Sequence, residues 1–238
     1  MFQRTTETKE SKTVSVIIPA LNEAEAIQDV IKSIPQSGLA ALGYQSQILV
    51  VDNGSTDGTG ELARQVGAET VYEPRRGYGR AYKTGLARAR GQILVTCDAD
   101  LTYPTEMIPD LVRLLVEEDL DFITTNRFHD MVPGAMSARN RVGNAVLNLA
   151  LRLLYGIRIA DSQSGMWVLK KELVSKLRLI SDQMPFSEEL KIECIFYERC
   201  RWREVPITYR ERVGPEKLHG WRDGFHNLIW MFRKRFVR

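Results

Sequence analysis

Through residue 126 the chain alternates short runs of Val and Ile with amphipathic stretches, and this alternation restricts its fold more than any other feature. Residues 14–18, 47–51, 92–97 and 122–125 have the apolar, β-branched character of buried strands. Between and after them, residues 23–34, 57–66, 81–89 and 105–117 carry helical periodicity. Strand and helix in alternation predict an α/β fold with a mostly parallel central sheet and helices on both faces. Ligands of such sheets bind outside the carboxyl ends of the strands. The polar loops at residues 19–23, 52–58 and 98–104 are therefore the expected site.

The rest of the chain is less regular. Residues 139–155 predict a long helix, 165–169 a strand, 188–199 a helix, 204–209 a strand, and the segment from residue 221 a last helix. No Gly/Ser linker or internal repeat divides it. The expected organisation is a flexible tail at residues 1–13, one domain over 14–218, and a basic amphipathic helix at 219–238. A chain of 238 residues can bury a full core, and its net charge of +3 is too small to imply nucleic acid as a partner. Cys97, Cys194 and Cys200 lack metal-ligand spacing and cannot all pair, which points to a reducing, cytoplasmic setting. No signal peptide is visible, and no apolar run approaches the ~20 residues of a bilayer span.

The most informative loop is Cys97-Asp98-Ala99-Asp100, where an apolar strand runs into two carboxylates. Mg2+ and Mn2+ favour hard oxygen ligands and commonly share them with substrate phosphates. A solvated strand-to-helix turn accounts for the same residues. Asp52-Asn53-Gly54-Ser55-Thr56-Asp57-Gly58 offers free amides in a tight turn, with Ser55 or Thr56 as caps for the next helix and Asp52 and Asn53 as acceptors for a nucleoside. Glu23 suits a helix N-terminus as well as a ligand.

In combination these segments resemble the nucleotide-diphospho-sugar glycosyltransferases of family two. The matching order is Val-Ile-Ile-Pro-x-x-Asn-Glu, Val-Val-Asp-Asn-Gly-Ser-Thr-Asp-Gly-Thr, the glycines from Gly77 to Gly85, and then Asp-Ala-Asp. Within that family the chain is most similar to dolichol-phosphate mannose synthases and other polyprenyl-phosphate hexosyltransferases. That likeness lies in Asp98-Ala99-Asp100-Leu101 with Pro104, Asn126-Arg127-Phe128, Asp161 with Ser164-Gly165, Glu204-Val205-Pro206-Ile207, Arg212 and Lys217-Leu218. The resemblance implies a GT-A fold and inverting transfer of a hexose from a nucleotide-diphosphate sugar to a polyprenyl phosphate. It assigns Pro19, Leu21, Glu23, Asp52 and Asn53 to the nucleoside. Asp98, Ala99 and Asp100 fall to the sugar diphosphate, with Mg2+ or Mn2+ on the two carboxylates. Arg127, Arg139, Arg212 and Lys217 fall to phosphate groups, and Asp161 to the reacting sugar. Four positions depart from the pattern: Asn53, Tyr78, Thr102 (where mannose synthases have Gln) and Pro215-Glu216.

Other acceptors stay open. Transfer to a saccharide or protein hydroxyl would need a carboxylate base such as Asp161 or Glu189. A non-catalytic nucleotide-sugar-binding module is a further alternative. Glu188, Glu189 and Glu193 lie in a segment rich in Lys and Arg, which reads as a solvated, salt-bridged face. Residues 225–236 are apolar and then basic, consistent either with a docked terminal helix or with peripheral contact at the cytoplasmic face of a membrane. On the second view residues 145–155 could join that surface, and any membrane-embedded partner would be a separate chain. A dinucleotide-binding oxidoreductase is disfavoured, because no Gly-x-Gly-x-x-Gly follows the first strand.

Overall fold

A computed structural model describes residues 12–214 and 220–237. Strands β1 (Thr13–Ala20), β2 (Gln45–Asp52), β3 (Glu69–Tyr72), β4 (Ile93–Thr96), β5 (Phe122–Met131), β6 (Trp167–Lys170) and β7 (Trp202–Tyr209) form one sheet in the order β3-β2-β1-β4-β6-β5-β7. The helices are α1 (Ile27–Ser33), α2 (Gln36–Ala41), α3 (Thr59–Gln65), α4 (Tyr78–Arg88), α5 (Ile108–Glu117), α6 (Ala138–Tyr155), α7 (Lys171–Val174), α8 (Phe186–Lys191) and α9 (Gly220–Phe236). A π-helical turn, Ile192–Tyr197, continues α8.

The unbroken apolar runs exist because both sheet faces are covered. Successive side chains alternate between the faces. Val14, Val16 and Ile18 of β1 join Ile48, Val50, Ile93 and Val95 on one side, under α1 and α5. Ile17 joins Leu49, Val51 and Leu94 on the other, under α4 and α8. A third cluster lies between α6 and α9, where Leu147, Leu151 and Tyr155 meet Met231.

Strand order reverses between β1 and its two parallel neighbours, β2 and β4. Such a reversal opens a crevice at the carboxyl ends of the strands. β6 runs antiparallel between β4 and β5, pairing Val168 with Val95 and Trp167 with Thr124. Because it enters where β4 leaves, the residues just before it are carried to the same crevice. β7 pairs in parallel with β5 at the sheet edge, where Pro206 is tolerated.

Three elements went unread: β3, α2 and α7. β3 is a four-residue strand without a fully buried side chain, so it has no apolar run to betray it. The first expected helix starts late, at Ile27, because the Glu23 carbonyl closes a turn with the amides of Ala26 and Ile27. The solvated face expected at Glu188, Glu189 and Glu193 is incorrect, since all three side chains are fully buried. α9 lies across them, and Lys234 Nζ sits 2.8 Å from Glu189 and 2.7 Å from Glu193. Among the described residues, no helix is long and apolar enough to cross a membrane.

Candidate active site

β4 delivers Asp98 and Asp100 to the crevice. The chain turns sharply after them, with Leu101 at a φ of 64°, a strained conformation for a Leu. The turn lets Asp100 Oδ1 accept from the Thr102 amide at 3.1 Å and the Thr102 hydroxyl at 2.6 Å. Asp100 Oδ2 is buried without an aligned hydrogen-bond donor, and its charge is met by Arg212 Nη2 at 2.6 Å. Asp98 Oδ1 accepts from the Tyr82 hydroxyl at 3.2 Å. Burial, and then the charge of Asp100, push the Asp98 carboxyl well above its usual range. Two crowded, buried carboxylates call for positive charge. Their hard oxygens suit Mg2+ or Mn2+, and no third His, Cys, Asp or Glu forms a metal-holding group with them among the described residues. Such a pair fits a cation whose coordination is completed by substrate oxygens.

The second constellation joins β5 to the loop before β6. Asp161, fully buried, accepts from the Arg127 amide at 3.1 Å, Arg127 Nε at 2.6 Å and Arg127 Nη2 at 2.8 Å. Asn144 of α6 and the Gln163 amide complete its contacts at 2.8 and 3.1 Å. Burial alone would raise the Asp161 carboxyl, but the Arg127 charge and these bonds hold it below the usual range. Glu204 of β7 clamps the Asp161 amide at 2.9 Å, and the Arg127 guanidinium lies over the Tyr209 ring at 5.2 Å. Asp161 therefore fixes Arg127. Its oxygens are committed, so it is no candidate for a general base.

Lys191, fully buried, secures the same loop from below. Its Nζ donates to the carbonyls of Ser162 at 2.9 Å and Ser164 at 2.8 Å, and burial lowers its pKa. Gly165 closes the loop with its amide donating to the Tyr103 hydroxyl at 2.7 Å. A Cβ on Gly165 would stand 3.0 Å from the Tyr78 hydroxyl and 3.2 Å from Asp98 Oδ1, so any larger residue would crowd both groups. Tyr78 thus lies beside Asp98, at the position where the sequence departs from its family pattern.

The loops after β1 and β2 are interlocked. Pro19 and Ala20 pair with Val51 and Asp52 in parallel register. Asp52 Oδ1 accepts from the Ser55 amide at 2.8 Å. Asn53 is buried, with its amide nitrogen donating to the carbonyls of Glu73 and Arg75 and its oxygen accepting from the Gly77 amide. It shapes the loop more than it faces a ligand. The cap of α3 is not Ser55 or Thr56. Gly58 holds the N-cap position with no side-chain cap, and Asp57 before it accepts from the Thr59 amide at 3.0 Å while its other oxygen takes the Ala24 amide. Leu21 is half-buried, and Glu23 approaches Arg212 at 4.0 Å.

A cleft of about 520 Å³ opens beside these groups, lined by Arg127, Arg139, Arg212, Asn144, Gln163 and Glu211 among others. Arg212 links it to Asp100, and Arg139 projects from the first turn of α6. Lys217 lies outside the described residues.

The model of the family described as glycosyl transferase family 2 matches residues 15–178. The chain belongs to glycosyltransferase family 2. Its fold is the GT-A fold that the motifs implied. This family 2 glycosyltransferase is 32% identical over 221 residues to the low-salt glycan biosynthesis hexosyltransferase Agl6 of Haloferax volcanii. It covers 92% of itself in that match but 53% of Agl6, about half the relative's length. It is also 30% identical to a dolichyl-phosphate hexose transferase of the same organism, over 89% of each chain. Among solved structures, glucosyl-3-phosphoglycerate synthase from Mycobacterium tuberculosis, in complex with Mn2+, uridine diphosphate and glucosyl-3-phosphoglycerate, superposes with a TM-score of 0.74 at 27% identity. That match spans 94% of this glycosyltransferase and 80% of the synthase.

Sequence reasoning missed Tyr82, Tyr103, Asn144 and Lys191. Tyr82 falls four residues after Tyr78, so both lie on one face of α4, a spacing that could have marked an aromatic wall. No local pattern announces Lys191, because its role depends on a loop folded across it.

Proposed function

We propose that this glycosyltransferase transfers a hexose from a nucleotide-diphosphate sugar to a polyprenyl phosphate, with inversion at the anomeric carbon. The observation that carries the reading is the shared wall of Arg127, Arg139 and Arg212 in one cleft, tied through Arg212 to the Asp98–Asp100 pair. Arg presents a planar fork matched to phosphate oxygens, and several are needed where two phosphorylated substrates meet. The name of the dolichyl-phosphate hexose transferase relative supports the lipid acceptor.

On this reading Pro19, Leu21, Glu23 and Asp52 border the nucleoside, and Asp98, Ala99 and Asp100 the sugar diphosphate. When bound, Mg2+ or Mn2+ on Asp98 and Asp100 would supply charge stabilisation to the departing diphosphate. The acceptor phosphate oxygen attacks the anomeric carbon, and the bond to the diphosphate breaks with its electron pair leaving on the nucleotide. The acceptor is already ionised near neutral pH and needs no general base. Arg127, held rigid by Asp161, and Arg139 steady it in line, and Arg212 neutralises the donor side. Asp161, committed to Arg127, is not available as the nucleophile of a retaining, covalent pathway.

A second reading, transfer to a hydroxyl, rests on Glu211, an exposed carboxylate in the same cleft, and draws support from the glucosyl-3-phosphoglycerate bound in the solved synthase. Labelled nucleotide sugars screened against short polyprenyl phosphates, with and without Mg2+ or Mn2+, test the proposal. Metal-dependent labelling of the lipid is expected. Failure with every lipid phosphate, beside success with a soluble hydroxyl acceptor, would overturn it.

A further inference from the structure

Helices α6 and α9 pack together through Leu147, Leu151, Tyr155 and Met231, and Tyr155 donates to the Met231 carbonyl at 2.7 Å. Away from that shared core each helix presents a second apolar face to solvent. On α6 it consists of Val142, Val146, Leu149 and Leu153, and on α9 of Phe225, Ile229, Phe232 and Phe236. Both sets fall at i, i+4, i+7 and i+11, the spacing of one straight helical stripe. Leu153 and Phe236 are three-quarters exposed, at 76% and 74%. A soluble monomer rarely leaves large apolar side chains aligned in this way.

Charge selects the occupant. α6 contains Arg139, Arg141 and Arg152 and no Asp or Glu, and α9 ends in Arg233, Lys234 and Arg235. Arg141, Arg152 and Arg233 are exposed, whereas Lys234 is buried on Glu189 and Glu193. A second copy laid on this face would set arginine against arginine. An anionic lipid surface complements it, with Leu and Phe entering the acyl boundary and Arg meeting the headgroups. The opposite side of both helices lines the arginine cleft, through Asn144 and Leu147 of α6 and Gly224 and Asn227 of α9.

We infer that the paired outer faces of α6 and α9 form a docking surface for an anionic bilayer, which holds the cleft one helix layer, about 10 Å, from the membrane surface. The inference rests on the lipid-phosphate reading for its purpose, yet it can be tested without either substrate.

The full chain is sedimented with phosphatidylcholine vesicles that contain or lack phosphatidylglycerol. Binding to the anionic vesicles, weakened by salt, is expected. Leu149→Gln with Leu153→Gln, and separately Phe232→Gln with Phe236→Gln, should each lower partitioning about tenfold or more. Arg152→Glu with Arg233→Glu should abolish the preference for anionic lipid. Circular dichroism unchanged from the wild type shows that the exposed replacements leave the fold intact. Wild-type protein that ignores vesicles, while still labelling a short soluble polyprenyl phosphate, would overturn the surface and leave the activity standing. Vesicle binding without turnover of any lipid phosphate would do the reverse. A wild-type dimer that the apolar variants dissociate, with vesicle binding unchanged, would assign the face to self-association and sink the proposal.

Discussion

Arg127 and Asp161 meet through two parallel bonds on the cleft wall, Nε to Oδ2 at 2.6 Å and Nη2 to Oδ1 at 2.8 Å. Both side chains are nearly or fully removed from water. Removing one partner of a buried pair strands the other charge, so Asp161→Ala should cost about 3–5 kcal/mol in denaturant unfolding. The sign with pH follows from the Asp161 carboxyl, which is held below its ordinary value. Its stabilisation is complete above the unfolded carboxylate pKa of about 3.9 and is lost as pH falls through the folded value. The stability gap between wild type and Asp161→Asn should therefore narrow on acidification. A constant gap would mean that Asp161 is not ionised in the native protein.

Thr102 supplies both donors to Asp100 Oδ1, and Tyr82 supplies one to Asp98 Oδ1. Groups that orient metal ligands typically control affinity by about 10–100-fold. Thr102→Val and Tyr82→Phe should each weaken the apparent Mn2+ affinity within that range while leaving Arg127 and Asp161 in place. Metal titrations of turnover that match the wild type would remove both residues from this role.

Asp98 is held high by burial and by the Asp100 charge, and a cation binds only its ionised form. Apparent Mn2+ affinity should accordingly rise with pH through the neutral range and flatten once Asp98 is ionised. Asp98→Asn should both weaken binding and remove that slope. An affinity independent of pH in the wild type contradicts the assignment.

Glu211 separates the two acceptor readings. With a phosphate acceptor, Glu211→Gln should change kcat by only a few-fold, since no proton is abstracted. A loss of about 100-fold or more, with a bell-shaped pH profile in the wild type, would instead mark a general base acting on a hydroxyl.

The sheet was legible because Val16, Leu49 and Val95 belong to runs buried on both faces, which few other folds require. The Asp98–Asp100 pair was legible because it directly follows such a run. Arg127 and Asp161 were each singled out, but their union was not, because 34 residues separate them and only the antiparallel entry of β6 brings them together. The carboxylates at residues 188, 189 and 193 were misread for a related reason. A helix rich in charge looks solvated until a distant segment, here α9 with Lys234, covers it. Lys191 illustrates the general limit: its partners are backbone carbonyls, which leave no trace in side-chain pattern.

The central claim is that Asp98 and Asp100 hold a divalent cation against a nucleoside diphosphate. Calorimetric titration of uridine and guanosine diphosphates, with and without Mn2+, into the wild type, Asp98→Asn and Asp100→Asn tests it most directly. Mn2+ should tighten binding of the preferred nucleotide to the wild type and have no effect on either variant. Equal metal enhancement in all three proteins would contradict the account.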